Sequence, residues 1–344
     1  MSRRNANLSD AVDSYLSYLR ARQLAENTIK MNTSTLRTAL ALWGNVLVRN
    51  IEPRHIDALF TSKQWGPRTY NTNLQAVRQF FAWCRNQGFM ATDGDPTFGW
   101  RNRKVPNDEQ LRIPVERFTE LLDTAVHPRD RAQVAVGLFL FLRGSEAVLI
   151  RMKDLDFDRH TIDIYRQKTS EYDTLPMCEE LEVELRRYLR WYESKHGLLQ
   201  SEWYLLPATT HAAWSGAPTD PNRRLVLDDR GLRPTAIQTR PYKVVNRVIG
   251  QMGYNAHKAG SHCLRRSGAR AYADQLRSTG YDGALLRVAS MLGHKDTKQT
   301  EHYIGWHLER QQRNEALGGK SMFDGLLSTS VENVVILRGR ESHG

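Results

Sequence analysis

A run of breakers between Ala91 and Arg112 constrains this chain more than any other feature. Gly94, Pro96, Gly99 and Pro106 fall within it, with Arg101, Arg103 and Lys104 between them. Neither a helical nor a strand period survives that spacing. The chain therefore reads as two bodies joined by an extended basic linker. The boundaries fall at a first domain over 1–90, a linker over 91–112, a second domain over 113–317 and a tail over 318–344. A length of 344 residues suits about two domains.

Residues 1–90 read as all helix. Ser9 caps a first helix with Val12, Leu16 and Leu19 on one face. Asn27 or Thr28 opens a second that runs to Trp43, and a short third lies near His55–Phe60 behind Pro53. Pro67 suits the first turn of a fourth, because its missing N–H would have no partner there anyway. That helix runs to Arg85, with Leu74, Val77, Phe80, Phe81 and Cys84 as its apolar face and Gly88 after it. Its opposite face, with Arg68, Asn71, Asn73, Gln75 and Arg78, is polar and partly basic.

The second domain opens with a helix near Pro114, followed by an apolar helix over Asp130–Phe141 and another over Glu146–Met152. Thr161–Tyr165 alternates as a strand does, Arg166–Glu171 reads as a hairpin tip, and Asp173–Met177 returns. Glu180–His196 is an amphipathic helix and 207–235 reads as loop. Helices follow over Thr235–Gln251, Cys263–Arg277 and Gly283–Met291, and the helical period continues past Tyr303 to about Leu317. The fold class is mainly α with a small antiparallel sheet.

The 49 Lys and Arg outnumber the 38 Asp and Glu, for a net charge of +11, so a polyanion is the expected partner. Cys84, Cys178 and Cys263 form neither a disulfide framework nor a metal knuckle, which suits a reducing, cytoplasmic setting. No apolar run is long enough for a membrane span. Within this basic chain, Arg143, Lys168, His262, Arg265, His294 and Tyr303 form an ordered set that can cut a phosphodiester. Two arginine forks, Arg143 and Arg265, can clamp one phosphate and neutralise it without a metal. Each well-placed donor to a developing charge contributes about 3 kcal/mol. Lys168, at a hairpin tip, can protonate the leaving oxygen. His262 and His294 can shuttle the nucleophile's proton or hydrogen-bond the phosphate. The phenolate of Tyr303 would form the covalent bond. Arg240, Lys243, Arg247 and Arg266, with Arg68 and Arg78 of the first domain, are the expected DNA contacts.

In this order and spacing the residues resemble the tyrosine recombinases, or phage integrase family. Its R-x-x-E box stands as Arg143-Gly144-Ser145-Glu146, and its hairpin lysine as Lys168, about 25 residues on. Its H-x-L-R box stands as His262-Cys263-Leu264-Arg265, its L-G-H box as Leu292-Gly293-His294, and its tyrosine as Tyr303, nine residues later. One departure is Phe141, where the family usually has glycine two residues before the first arginine; the packing behind Arg143 should differ. The resemblance implies a helical, SAM-like core-binding domain ahead of an α+β catalytic domain, without an arm-binding domain. It implies DNA cutting and rejoining through a 3′-phosphotyrosyl intermediate and a Holliday junction, with no metal, ATP or other cofactor. It implies inverted-repeat core sites in double-stranded DNA and a homotetramer on DNA that is monomeric or weakly associated when free. A directionality factor, and a tail whose run Val334–Leu337 docks on a neighbouring protomer, belong to the same expectation. Glu146 would take a structural, hydrogen-bonding part. Two alternatives stay open: relaxation of DNA like a type IB topoisomerase, and a non-catalytic DNA-binding regulator.

Overall fold

The computed structural model describes residues 5–106, 110–209, 212–215, 224–227, 231–255 and 260–306. The chain divides into two compact units, residues 1–109 and 110–344.

In the first unit, α1 (Leu8–Ala21), α2 (Glu26–Trp43), α3 (Pro53–Thr61) and α4 (Pro67–Asn86) enclose one core. Proline starts both α3 and α4, as its fixed φ favours. Leu74, Val77, Phe80, Phe81 and Cys84 recur at helical spacing on α4 and are fully buried, against Tyr15 and Leu16 of α1 and Leu36 of α2. Inside this core the Thr35 hydroxyl donates to Asn73 Oδ1 at 2.8 Å, so the buried amide oxygen is satisfied. Part of the stretch expected as an extended linker, from Gly94 to Arg103, is hydrogen-bonded to α4. Arg78 donates to the carbonyl of Trp100. Asn71 exchanges two bonds with the Arg103 backbone, at 2.9 and 2.7 Å. Trp100 packs on Phe60, and the Arg103 guanidinium sits 3.9 Å from the Tyr70 ring centroid. Two of the polar side chains on α4 thus hold this segment.

The second unit opens with α5 (Phe118–Thr124) and α6 (Pro128–Phe139), in which Val134, Ala135, Val136 and Leu138 are all buried. A single helical turn, α7 (Gly144–Ala147), leads to β1 (Leu155–Asp156), β2 (Thr161–Arg166) and β3 (Glu171–Pro176). These form one antiparallel sheet in the order β1-β2-β3. Then come α8 (Glu179–His196), β4 (Pro207–Thr209), β5 (Ala212–Ser215), β6 (Arg224–Leu227) and β7 (Leu232–Ile237), with β4 paired to β7 and β5 to β6. The unit continues through α9 (Tyr242–Gln251), α10 (Gly260–Ser278), α11 (Ala284–Leu292) and α12 (Thr297–Ile304). The architecture is mainly helical with small antiparallel sheets.

Helices α6 and α10 form the spine of the unit. A Cβ on Gly268 of α10 would fall 1.7 Å from the backbone oxygen of Leu138 on α6. Only glycine permits that approach, and it brings the arginines of α10 next to the loop that follows α6.

Three sequence expectations are corrected. The helix expected over Glu146–Met152 ends after Ala147, because Ile150 and Met152 pair across the chain: Leu205 N–H donates to Ile150 O and Met152 N–H to Trp203 O. The expected loop over 207–235 contains β4, β5, β6 and the start of β7, strands too short and too interrupted for alternation to show. Thr235–Ile237 is strand and not helix; α9 starts only after Pro241, whose ring keeps the preceding Arg240 out of the helical region. α12 ends at Ile304, where Gly305 takes φ +81, and Trp306 is helical again; the expected continuation to about Leu317 lies outside the described residues. Residues 307–344, and with them the expected tail 318–344, lie outside the described residues.

Candidate active site

Arg143 begins α7, and its own backbone N–H donates to Glu146 Oε2 at 2.9 Å, while its guanidinium reaches Glu146 Oε1 at 2.7 Å. Glu146 has no solvent exposure. Two more guanidinium groups, those of Arg166 and Arg265, each lie 3.7 Å from Glu146 Oε2. Arg166 is also paired with Asp173 at 2.9 Å and donates to the carbonyl of Met291 at 2.7 Å.

Arg265 is 1% exposed, yet its hydrogen-bond partners are backbone carbonyls: Phe141 O, and Leu292 O at 2.5 Å. Burial, and then the neighbouring Arg143, bring its pKa down to about 10, so it is a full cation near neutral pH. Arg266 follows it on α10 and bonds to Leu111 O at 3.0 Å and Gln110 Oε1 at 3.2 Å. Among the described residues here, four guanidinium groups face two carboxylates, Glu146 and Asp173. Arg265 and Arg266 are held by carbonyl oxygens that carry no compensating charge, so the cluster keeps a positive excess suited to an anion.

Phe141 explains how the loop reaches Arg265. Its φ of +52 lies in the left-handed region, where a side chain is strained and glycine is not. Packing offsets the strain: the ring is buried in a cluster with Ala269, Ala273, Val288, Leu292 and Ile304. The same turn aims the Phe141 carbonyl at Arg265. Gly293 is constrained twice, by φ +63 and by Arg166 Nε, which would lie 3.3 Å from a Cβ there.

Tyr303 sits on α12, whose first turn is capped by Asp296 accepting from Lys298 N–H at 2.8 Å. The Tyr303 ring centroid is 5.2 Å from the Arg266 guanidinium carbon and 5.8 Å from that of Arg265. His294 meets the same ring edge-on, with centroids 5.4 Å apart. The Tyr303 hydroxyl donates to the carbonyl of His262 at 3.4 Å. Burial raises the phenol pKa, and Arg265, Arg266 and Arg143 oppose the rise. Desolvation, then Arg265, Arg143, Lys168 and Arg166, hold the His294 imidazole down to about 4. Desolvation, then Arg265, Arg266 and Arg143, lower His262 as well, although its side chain still reaches solvent. Lys168 is exposed at the β2–β3 tip, where Ser170 N–H donates to Arg166 O at 2.8 Å.

Five of the six residues expected to do chemistry surround one place; Lys168 stays exposed at the β2–β3 tip and has no contact with the other five. The expected DNA contacts divide. Arg68, Arg240 and Lys243 are exposed. Arg78 is tied to Trp100, Arg247 pairs with the fully buried Asp130, and Arg266 is built into the site. Sequence reasoning missed Arg166. Its signal is a charge at an inward position of β2, in register with the buried Ile162 and Ile164. It also missed Thr300, which lies one helical turn before Tyr303.

A family model described as the phage integrase family matches residues 113–310. The chain belongs to that family, the tyrosine site-specific recombinases. It is 24% identical over 320 residues to the tyrosine recombinase XerA of Thermococcus kodakarensis, covering 91% of this chain and 98% of the relative. Its fold is similar to that of a lambda integrase dimer bound to a COC' core site, with TM-score 0.65, 13% identity, and coverage of 88% of this chain and 78% of that one. It is similar also to a lambda integrase tetramer bound to a Holliday junction, with TM-score 0.63, 13% identity, and coverage of 86% and 80%.

Proposed function

We propose that the chain cuts and rejoins double-stranded DNA at inverted-repeat core sites through a 3′-phosphotyrosyl intermediate and a Holliday junction. It does so as a homotetramer on DNA, without metal or ATP. The observation that carries this is the position of Tyr303, with two guanidinium groups and an imidazole around one phenol.

Arg143 and Arg265 take the non-bridging oxygens of the scissile phosphate. The Tyr303 oxygen attacks phosphorus and the bond to the 5′ oxygen breaks. The phenol's proton passes to an imidazole, and Lys168 supplies a proton to the departing 5′ oxygen. Burial keeps the phenol protonated at rest, and the surrounding cations favour the phenolate once a base is in place. The energy of the phosphodiester stays in the tyrosyl link, so religation by a 5′ hydroxyl reverses the same steps. Glu146 orients the arginines and takes no proton. Arg68, Arg240 and Lys243 serve as phosphate contacts outside the site.

Covalent capture tests the reading. Wild-type and Tyr303→Phe protein are mixed with fragmented genomic DNA and denatured in detergent, and the attached DNA is sequenced. Discrete inverted repeats on the wild type and none on the variant are expected. Adducts scattered without sequence preference would indicate a relaxing enzyme. No adduct from the wild type would refute the catalytic assignment.

A further inference from the structure

Thr300 and Tyr303 are one turn apart on α12, so they share a face of that helix. Thr300 has no solvent exposure, and its Oγ1 lies 3.0 Å from His294 Nδ1. A hydroxyl has one proton to donate. The other acceptor within reach of the Thr300 hydroxyl is the carbonyl of Asp296, at 3.5 Å, the outer limit of a hydrogen bond. That carbonyl already accepts the Thr300 backbone N–H at 3.3 Å. The shorter and less contested acceptor is the imidazole.

Arg265, Arg143, Lys168 and Arg166 surround His294, and desolvation with these cations keeps the ring neutral above a pKa of about 4. A neutral imidazole carries its proton on one nitrogen only. If Nδ1 accepts from Thr300, the proton is on Nε2.

We propose that Thr300 is a positioning residue whose hydroxyl holds His294 in the Nε2–H form, so that Nε2 can donate a hydrogen bond and cannot take up a proton. The catalytic part of this inference rests on the recombinase reading; the tautomer does not.

The test therefore starts without DNA. Protein labelled with 15N-histidine is examined by long-range 1H–15N correlation, which separates protonated from bare ring nitrogens. His294→Gln identifies the signals. The wild type and Thr300→Ser should show Nε2 protonated and Nδ1 bare, and Thr300→Val should show a mixture. A protonated Nδ1 in the wild type overturns the proposal. The second measurement is the rate of covalent capture on DNA. Thr300→Val should slow it by roughly ten- to a hundredfold, the range seen when the outer partner of a metal-held histidine is removed, and Thr300→Ser should restore it. An unchanged rate in folded Thr300→Val overturns the positioning role. A wild type that shows the Nε2–H form but never captures DNA would refute the recombinase reading and leave the tautomer standing.

Discussion

Replacing Phe141 by glycine should cost this protein less stability than replacing it by alanine. The usual order is the reverse, because glycine loses more freedom on folding, by about 0.5–1 kcal/mol. Both changes remove a ring that is 4% exposed, and emptying such a site costs about 3–5 kcal/mol. They differ in the backbone. At φ +52 an alanine keeps the left-handed strain of roughly 1–2 kcal/mol, and a glycine does not. The relief exceeds the entropy, so the glycine variant should be the more stable by about 0.5–1 kcal/mol. In a unit of this size that corresponds to roughly 1–4 °C in Tm. Urea unfolding of both variants, compared at matched slopes, measures the difference. An alanine variant more stable than the glycine variant would mean that the turn into Arg143 is not left-handed, and the account of the Arg265 anchor would fall with it.

Two other measurements test the electrostatics. The folded chain holds His294 near 4 against an ordinary 6.5, so between those pH values the unfolded chain binds a proton that the native one refuses. Stability should therefore fall as pH drops through that window, and fall less in His294→Gln; parallel curves would contradict the burial of a neutral imidazole. Arg247→Ala leaves one oxygen of the fully buried Asp130 without its ion pair and should cost about 1–3 kcal/mol with the salt dependence of DNA binding intact. Lys243→Ala should do the opposite, with unchanged stability and a salt slope reduced by about 0.9. Equal effects of the two would erase the distinction between a strut and a phosphate contact.

The reach of the sequence differed by element. The four helices of the first unit were legible because each has a whole face to bury, and a period of 3.6 over about five turns, as in α4, has no rival. The segment after Glu146 was misread because its backbone is satisfied by Trp203 and Leu205, partners that no local window contains. The short strands β4 to β7 failed for the same reason, and Pro241 was the sign that α9 had to start late. Candidate site residues were easier, since Arg143, Arg265, His294 and Tyr303 are chemically distinctive and keep their order. Arg166 was harder: its meaning depends on β2 facing Glu146, and only the packed sheet puts it there. The polar face of α4 shows the limit from the other side. Asn71 and Arg78 look like surface groups in sequence, and they hold the irregular segment around Trp100 and Arg103.

The helix that carries Tyr303 is eight residues long, too short to persist by itself. Packing of the fully buried Ile304 against α10 and α11 holds it, and Arg112 adds a bond to the carbonyl of Ile304 at 2.6 Å across a separation of 192 residues. The cradle of Arg143, Arg166 and Arg265, by contrast, rests on α6, α7, β2 and α10. The Tyr303 ring and the guanidinium groups around it therefore come from segments far apart in the chain, and the cluster is complete only when the start and the end of the described unit are folded against each other.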